Sequence, residues 1–184
     1  MDLTFEIPNN LKNDLCEDII KRFEQDQRKV PGQTGGGFSP DMKTSIDLGI
    51  SRFPEWADID KILDSKLEEN LKKYQEFLTE KIPPNSFNVL HTWHNGYQIQ
   101  KSGYYKWHHD ARIEYGKERV LTFIWYLNSL KNEQEGHTGF LHKTVKPEPG
   151  KFVFFPATWD YIHCGFPTEN KYIITGWTWQ EVWK

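Results

Sequence analysis

Trp107-His108-His109-Asp110 is followed, 55 positions on, by His163, and the fold has to be one that brings these two stretches together. In an extended strand successive side chains point to opposite faces, so His108 and Asp110 project to one side and His109 to the other. His108, not His109, is therefore the imidazole that can share a metal with Asp110. Two histidines and one carboxylate make the facial triad that holds iron while leaving positions open for a co-substrate and O2. An oxygenase is the first reading, set against a chance His-x-Asp in a surface strand. The 55-position separation has room for several strands and turns, and only a folded barrel would return the chain to the same point.

The texture around this stretch agrees. From residue 86 the chain runs as short β-branched and aromatic segments at 87–94, 97–101, 104–109, 120–128, 152–155 and 171–182, divided by turn signals. Asn95-Gly96 reads as a hairpin turn and Ser102-Gly103 as a second turn. Before residue 86 the period is helical. Leu11, Leu15, Ile19 and Phe23 recur every fourth residue behind an N-cap at Asn9-Asn10, predicting an amphipathic helix near 10–27. Ile59, Ile62, Leu63, Leu67, Leu71, Tyr74, Phe77 and Leu78 keep helical spacing until Pro83-Pro84, predicting a second helix from about 57 to 80. Residues 43–48 read as a short strand or turn entering the sheet. The run Pro31-Gly32-Gln33-Thr34-Gly35-Gly36-Gly37 is a loop: an ordinary surface loop on our reading, with a flap over an active site as the alternative. It lacks the Lys-Ser/Thr ending of a phosphate-binding loop, which rejects nucleotide binding. The expectation is one domain over 1–184, with helical support at about 10–80 and an antiparallel jelly-roll core at about 86–182 that carries both helices on its outer face.

Composition narrows the function classes. The 184 residues suffice for one sizeable core, and 15% aromatics with 27% charged residues describe a globular chain. A net charge of −3 and a pI near 6.2 provide no basic field for nucleic acid or an anionic membrane. Cys16 and Cys164 stand outside any CxxC pairing and read as free thiols of a reducing cytoplasm. No signal peptide and no apolar run of ~18 residues is visible, so a soluble, cytoplasmic protein is expected.

Between the two proposed histidine ligands lie Arg119-Val120-Leu121-Thr122-Phe123-Ile124-Trp125-Tyr126-Leu127-Asn128, then Glu135-Gly136-His137-Thr138-Gly139-Phe140, then Lys146-Pro147-Glu148-Pro149-Gly150-Lys151-Phe152-Val153-Phe154-Phe155-Pro156. After His163 come Cys164-Gly165-Phe166-Pro167 and Lys171-Tyr172-Ile173-Ile174-Thr175-Gly176-Trp177. In order and spacing, residues from about 87 to 179 resemble the prolyl 4-hydroxylase-like branch of the iron(II)/2-oxoglutarate-dependent oxygenases. The resemblance implies a double-stranded β-helix and hydroxylation coupled to oxidation of 2-oxoglutarate to succinate and CO2. It further implies Fe(II) held by His108, Asp110 and His163, O2 as reactant and ascorbate in a supporting part. Asp110, by occupying its ligand position, leaves no vacancy for a halide and favours hydroxylation over halogenation.

Lys171, eight residues after His163, is a cation at the start of the last apolar strand and needs an anionic partner if it faces the barrel interior. The family implies that this partner is the distal carboxylate of 2-oxoglutarate. Tyr126 and Tyr105 match positions that line the co-substrate pocket, with a core tyrosine as the other reading of each. Tyr97 is named for a third such position, where Gln98 is the competing residue. Thr138 and Trp177 match wall positions. Arg112, two beyond Asp110, would share the ligand face if the strand continues, where it would clamp a substrate carboxylate, with a surface arginine as the other reading. His91, His94, His137 and His142 read as surface or hydrogen-bonding histidines. The substrate expected is a prolyl residue in a peptide or protein, with a free amino acid or other small molecule as the variant. Three rivals remain: a cupin-type metal enzyme, which would have no use for Lys171, a non-catalytic jelly-roll binding protein, and a zinc hydrolase, for which no general base stands out.

Overall fold

The computed structural model describes residues 1–83, 87–132 and 135–182. Twelve strands and two helices follow one another as β1 (Phe5–Ile7), α1 (Asn13–Gln25), β2 (Val30–Pro31), β3 (Lys43–Gly49), α2 (Ala57–Thr79), β4 (Trp93–His94), β5 (Gln98–His108), β6 (Ile113–Glu114), β7 (Lys117–Tyr126), β8 (Thr138–Phe140), β9 (Thr144–Val145), β10 (Phe152–Pro156), β11 (His163–Gly165) and β12 (Lys171–Glu181). Every strand pairing is antiparallel, and the main path runs β1-β10-β7-β12-β5-β11-β8-β9, with β3 on the other edge of β5. This curled sheet buttressed by two helices is the double-stranded β-helix expected from the sequence.

β7 reads as an uninterrupted apolar run because both of its faces are buried. Leu121, Phe123 and Trp125 point to the helices, where they join Ile19 and Phe23 of α1 and Ile59, Leu63, Leu67, Tyr74 and Leu78 of α2. Ile124 and Tyr126 point the other way, into a second cluster with Phe140, Val153, Phe155 and Ile173. The same alternation sorts β10 and β12: Phe152, Phe154, Tyr172 and Ile174 pack on the helices, and Val153, Phe155 and Ile173 face the interior. A polar tie crosses the helix side of the core. Buried Asn70 of α2 exchanges two hydrogen bonds with Asn10 at 2.9 and 3.0 Å, and Asn10 Oδ1 also accepts from Trp125 Nε1 at 2.7 Å. Asn10 is thus a link between helix and sheet, not the cap of α1. The residue at that cap is Lys12, which makes no side-chain capping bond.

Three local expectations are corrected. Residues 87–94 are not a strand: a 3-10 turn occupies Val89–His91, and only Trp93–His94 joins the sheet. Asn95-Gly96 does not close a hairpin, because β4 pairs with Thr178 and Trp179 of β12 and β5 pairs with residues 171–175 of the same strand. The chain steps along one edge of β12 and does not fold back on itself. Ser102-Gly103 is not a turn either. β5 is continuous across it, and Gly103 is the unpaired residue of a bulge where Thr44↔Tyr104 gives way to Ser45↔Ser102. A Cβ at Gly103 would lie 2.3 Å from Thr44 Oγ1. At this bulge β5 changes partner, from β12 over residues 98–102 to β11 over residues 105–108, and so turns the corner between the two layers. No helix of the described residues is long and apolar enough to cross a membrane. Pro84, one of the two expected helix stops, lies outside the described residues, and α2 ends before it at Thr79.

Candidate metal centre

The two stretches quoted at the outset meet on adjacent strands. His108 ends β5, His163 begins β11, and they are register partners in the β5–β11 pairing. Asp110 follows two residues after His108, and one ligand atom from each of the three residues lies within 4.8 Å of the others. His108 Nε2 stands 3.6 Å from Asp110 Oδ1 and His163 Nε2 3.6 Å from Asp110 Oδ2. His109 is exposed.

Each imidazole is oriented from behind. Nδ1 of His108 donates to the Lys106 carbonyl at 2.7 Å and Nδ1 of His163 to the Tyr161 carbonyl at 3.1 Å. A carbonyl can only accept, so the proton sits on Nδ1 and the Nε2 lone pair of each ring turns toward Asp110. Burial, followed by the neighbouring His163, pushes the His108 pKa down to about 4, which keeps the ring in its neutral, ligating form. Burial pushes the Asp110 carboxyl up, but His163, His108 and bonds from Trp177 and Thr122 outweigh it, and its pKa lies below the ordinary value. Thr122 Oγ1 donates to Asp110 Oδ2 at 2.7 Å and Trp177 Nε1 to the same oxygen at 3.0 Å. Arg119 stacks 3.6 Å over the Trp177 ring and holds the Asp110 carbonyl at 3.3 Å. Two imidazoles and an ionised carboxylate, each held by an outer partner, are a donor set suited to a divalent metal with open positions.

The triad lies on a cavity of about 460 Å³ between the two layers, lined among others by Lys171, Ile173, Thr175 and Trp177 of β12, Thr122 and Ile124 of β7, and Thr138 of β8. Lys171 is 2% exposed, and its Nζ donates to the Gly136 carbonyl at 2.8 Å. Burial pushes its pKa down to about 8, so the ammonium is still the main form at neutral pH and gains from an anion placed in the cavity. Tyr105 also lines the cavity. It stacks on the His108 ring at 3.5 Å, and burial raises its hydroxyl to about 12.

Other expected residues fall differently. Tyr126 is fully buried behind Thr138, to which its hydroxyl bonds at 2.6 Å, and Thr138 is the one of the pair that reaches the cavity wall. Tyr97 is a correction. It lies on the helix side of the sheet, against Trp125 and Phe123, with its hydroxyl on Asp64 at 2.7 Å, and Gln98 is the residue that faces the cavity. Adjacent strand residues point oppositely, so an offset of one exchanges core for cavity. Arg112 is at the cavity rim, but β5 ends at His108, and the Arg112 guanidinium is occupied by Glu114 at 3.1 Å. His94 is tied to Asp64 and His142 to Asp2, each at 3.0–3.1 Å. Both cysteines are free and buried. The loop expected at the surface contributes Gln33, Thr34 and Gly35 to the cavity wall, which favours the flap alternative. Sequence reading missed Thr122 and Arg119, whose bonds to Asp110 depend on strands brought together only by folding. The inward alternation of β7 was the available signal for Thr122.

Residues 92–179, just under half of the chain, match the model of the 2OG-Fe(II) oxygenase superfamily. No curated protein matches the sequence. Solved structures match over nearly the whole chain. A prolyl hydroxylase from Trichoplax adhaerens, in complex with a hypoxia inducible factor peptide fragment, aligns with a TM-score of 0.73 and 19% identity over 95% of this chain and 82% of its own. The viral collagen prolyl hydroxylase of Paramecium Bursaria Chlorella virus-1, as its 2OG complex, gives 0.64 and 16% over 97% and 96%. A Pseudomonas putida prolyl-4-hydroxylase gives 0.63 and 15% over 98% and 93%. At these identities the likeness is one of fold.

Proposed function

We propose that this chain, whose residues 92–179 match the model of the 2OG-Fe(II) oxygenase superfamily, is a member of that superfamily and hydroxylates a prolyl residue of a peptide or protein, with 2-oxoglutarate consumed and succinate and CO2 released. The observation that carries the reading is the pairing, in one cavity, of the His108, Asp110 and His163 cluster with a buried Lys171 that has no carboxylate partner among the described residues. The whole chain acts as one domain, with α1 and α2 as outer support.

When bound, Fe(II) and 2-oxoglutarate supply an oxidation by O2 that converts the co-substrate to succinate and CO2 and hydroxylates a nearby C–H bond. The protein residues do the rest. His108, Asp110 and His163 hold the metal, and Thr122 and Trp177 keep the Asp110 carboxylate ionised and aimed. Lys171 takes the distal carboxylate of 2-oxoglutarate, with Thr138 and its partner Tyr126 beside it. Ile124 and Ile173 make that end of the cavity apolar, which excludes water and strengthens the lysine's attraction for an anion. The relatives of known structure named above are prolyl hydroxylases, which supports a prolyl target.

The test is an anaerobic Fe(II) titration with 2-oxoglutarate, following the visible charge-transfer band of the chelate in wild type, His108→Ala and Lys171→Ala, then succinate release with proline-containing peptides. The band should appear in wild type, vanish in the histidine variant and weaken strongly in the lysine variant. Iron binding without the band would sink the 2-oxoglutarate reading, and succinate release with free amino acids but no peptide would sink the peptide assignment.

A further inference from the structure

We propose that Lys43, Asp47 and Gln100 form a substrate subsite, apart from the groups assigned above to metal and co-substrate, that takes a main-chain amide and not a free carboxylate. The inference rests on the proposed function and names what selects the substrate in that cavity.

The subsite follows from strand register. Asp47 opposes Gln100 and Gly49 opposes Gln98 across β3 and β5, so residues 43, 45 and 47 and residues 98, 100 and 102 share the inner face. Where β7 and β12 present Ile124 and Ile173 to the interior, this wall is polar. Its hydrogen bonds converge on Asp47. Lys43 Nζ reaches Oδ2 at 3.1 Å, Gln98 Nε2 reaches Oδ2 at 3.0 Å and Ser45 Oγ reaches Oδ1 at 2.7 Å. Gln100 Nε2 donates in turn to Gln98 Oε1 at 3.2 Å. Lys43, Asp47 and Gln100 are 6%, 2% and 7% exposed, so groups left unpaired here are costly.

Counting donors and acceptors shows what is missing. The Lys43 ammonium has three N–H groups and one bonded partner, and Gln100 Oε1 accepts from no described residue. Both side chains line the cavity. Lys43 and Asp47 neutralise each other, and Asp47 is already engaged by three donors, so the wall has unused donors and an unused acceptor but no net charge. A carboxylate gains little here and would face the charge of Asp47. It is better placed at Lys171, which has no carboxylate within ion-pair distance among the described residues. The neutral group that offers both a carbonyl to Lys43 and an N–H to Gln100 is the peptide amide.

The location suits a substrate contact. Lys43 Nζ is 5.5 Å over the Tyr105 ring, and Tyr105 stacks on His108. Gly32, which leads into the Gln33-Thr34-Gly35 wall of the cavity, packs so closely on the network that a Cβ there would come within 2.0 Å of Ser45 Oγ. Gly32 therefore packs directly on Ser45 and Asp47 of the network.

The experiment is calorimetric titration of protein loaded anaerobically with Fe(II) and 2-oxoglutarate, using the blocked peptide acetyl-Gly-Pro-Gly-amide and, in parallel, free proline. Wild type should bind the blocked peptide and not free proline. Gln100→Leu and Lys43→Met should each weaken peptide binding about tenfold, the loss expected for one buried hydrogen bond. Their affinity for 2-oxoglutarate should stay at the wild-type value and their melting by circular dichroism should stay cooperative. Equal peptide affinity in wild type and both variants, no peptide binding by wild type, or free proline bound as well as the peptide would each overturn the subsite. Failure of wild type to bind 2-oxoglutarate would overturn the proposed function and the subsite with it.

Discussion

Asp110 Oδ2 accepts from both Thr122 and Trp177, and the two donors come from different strands. Removing either leaves a buried carboxylate oxygen with one donor fewer and the carboxylate freer to rotate. Thr122→Val and Trp177→Phe should each weaken divalent metal binding about 10- to 100-fold, the usual effect of losing an outer partner of a ligand. A Co(II) titration measures this, and unchanged affinity in both variants would remove the positioning role. His108 adds a pH dependence to the metal-free protein. Its folded pKa is about 4 against an ordinary 6.5, so between those values the unfolded chain binds a proton that the folded one does not. Stability is then full above pH 6.5 and falls as the pH drops toward 4, by about 3 kcal/mol for this group. Urea melts of wild type and His108→Gln across that window should show the slope flatten in the variant, and equal slopes would refute the assignment. At this scale the sequence was legible where a period of two sufficed, as for His108 over His109. It misled at Tyr97, where one position of offset inverted the face.

The corner in β5 belongs to the scale of elements. Gly103 is needed because the bulge brings its Cα against Thr44 of β3, and not because a turn demands a special backbone angle. Gly103→Ala should destabilise the fold by about 1–3 kcal/mol through overpacking. Thr44→Ala in the same chain should recover part of that loss, since the nearest obstacle is the threonine hydroxyl. A double-mutant cycle in urea decides it, and purely additive losses would show that the bulge does not depend on this contact. The Asn10–Asn70 pair offers a second check. Asn70→Leu strands the Asn10 amide in the core and should cost about 1–3 kcal/mol in the same melts, whereas a surface asparagine would cost almost nothing.

At the scale of the whole molecule, the cavity is closed by both layers of the sheet at once, so anything bound in it holds them together. Ligands that bind only the folded chain raise stability by mass action, about 2.7 kcal/mol at a hundredfold excess over Kd. Metal alone and metal with 2-oxoglutarate should therefore raise Tm in two successive steps. Lys171→Met should keep the first step and lose most of the second. A variant that keeps both steps would refute the lysine as anchor, because its burial leaves it no other route to the co-substrate.

Helix positions, strand runs and the inward or outward sense of residues inside them follow from local periodicity, which is why α1, α2, β7, β10 and β12 could be read within a few residues. The family pattern also lies along the chain, in the spacing of His108, Asp110, His163 and Lys171. Partner choice between strands could not be read. Asn95-Gly96 looks like a hairpin in isolation, yet β4 and β5 both find β12, because a buried edge of a long strand offers more hydrogen bonds and apolar contact than a two-residue ribbon. For the same reason only the tertiary structure decided that Thr122 and Trp177 meet at Asp110 and that Lys43 meets Gln98 at Asp47. Such bonds join residues far apart in sequence whose side chains share no local pattern, and only sheet register brings them within reach.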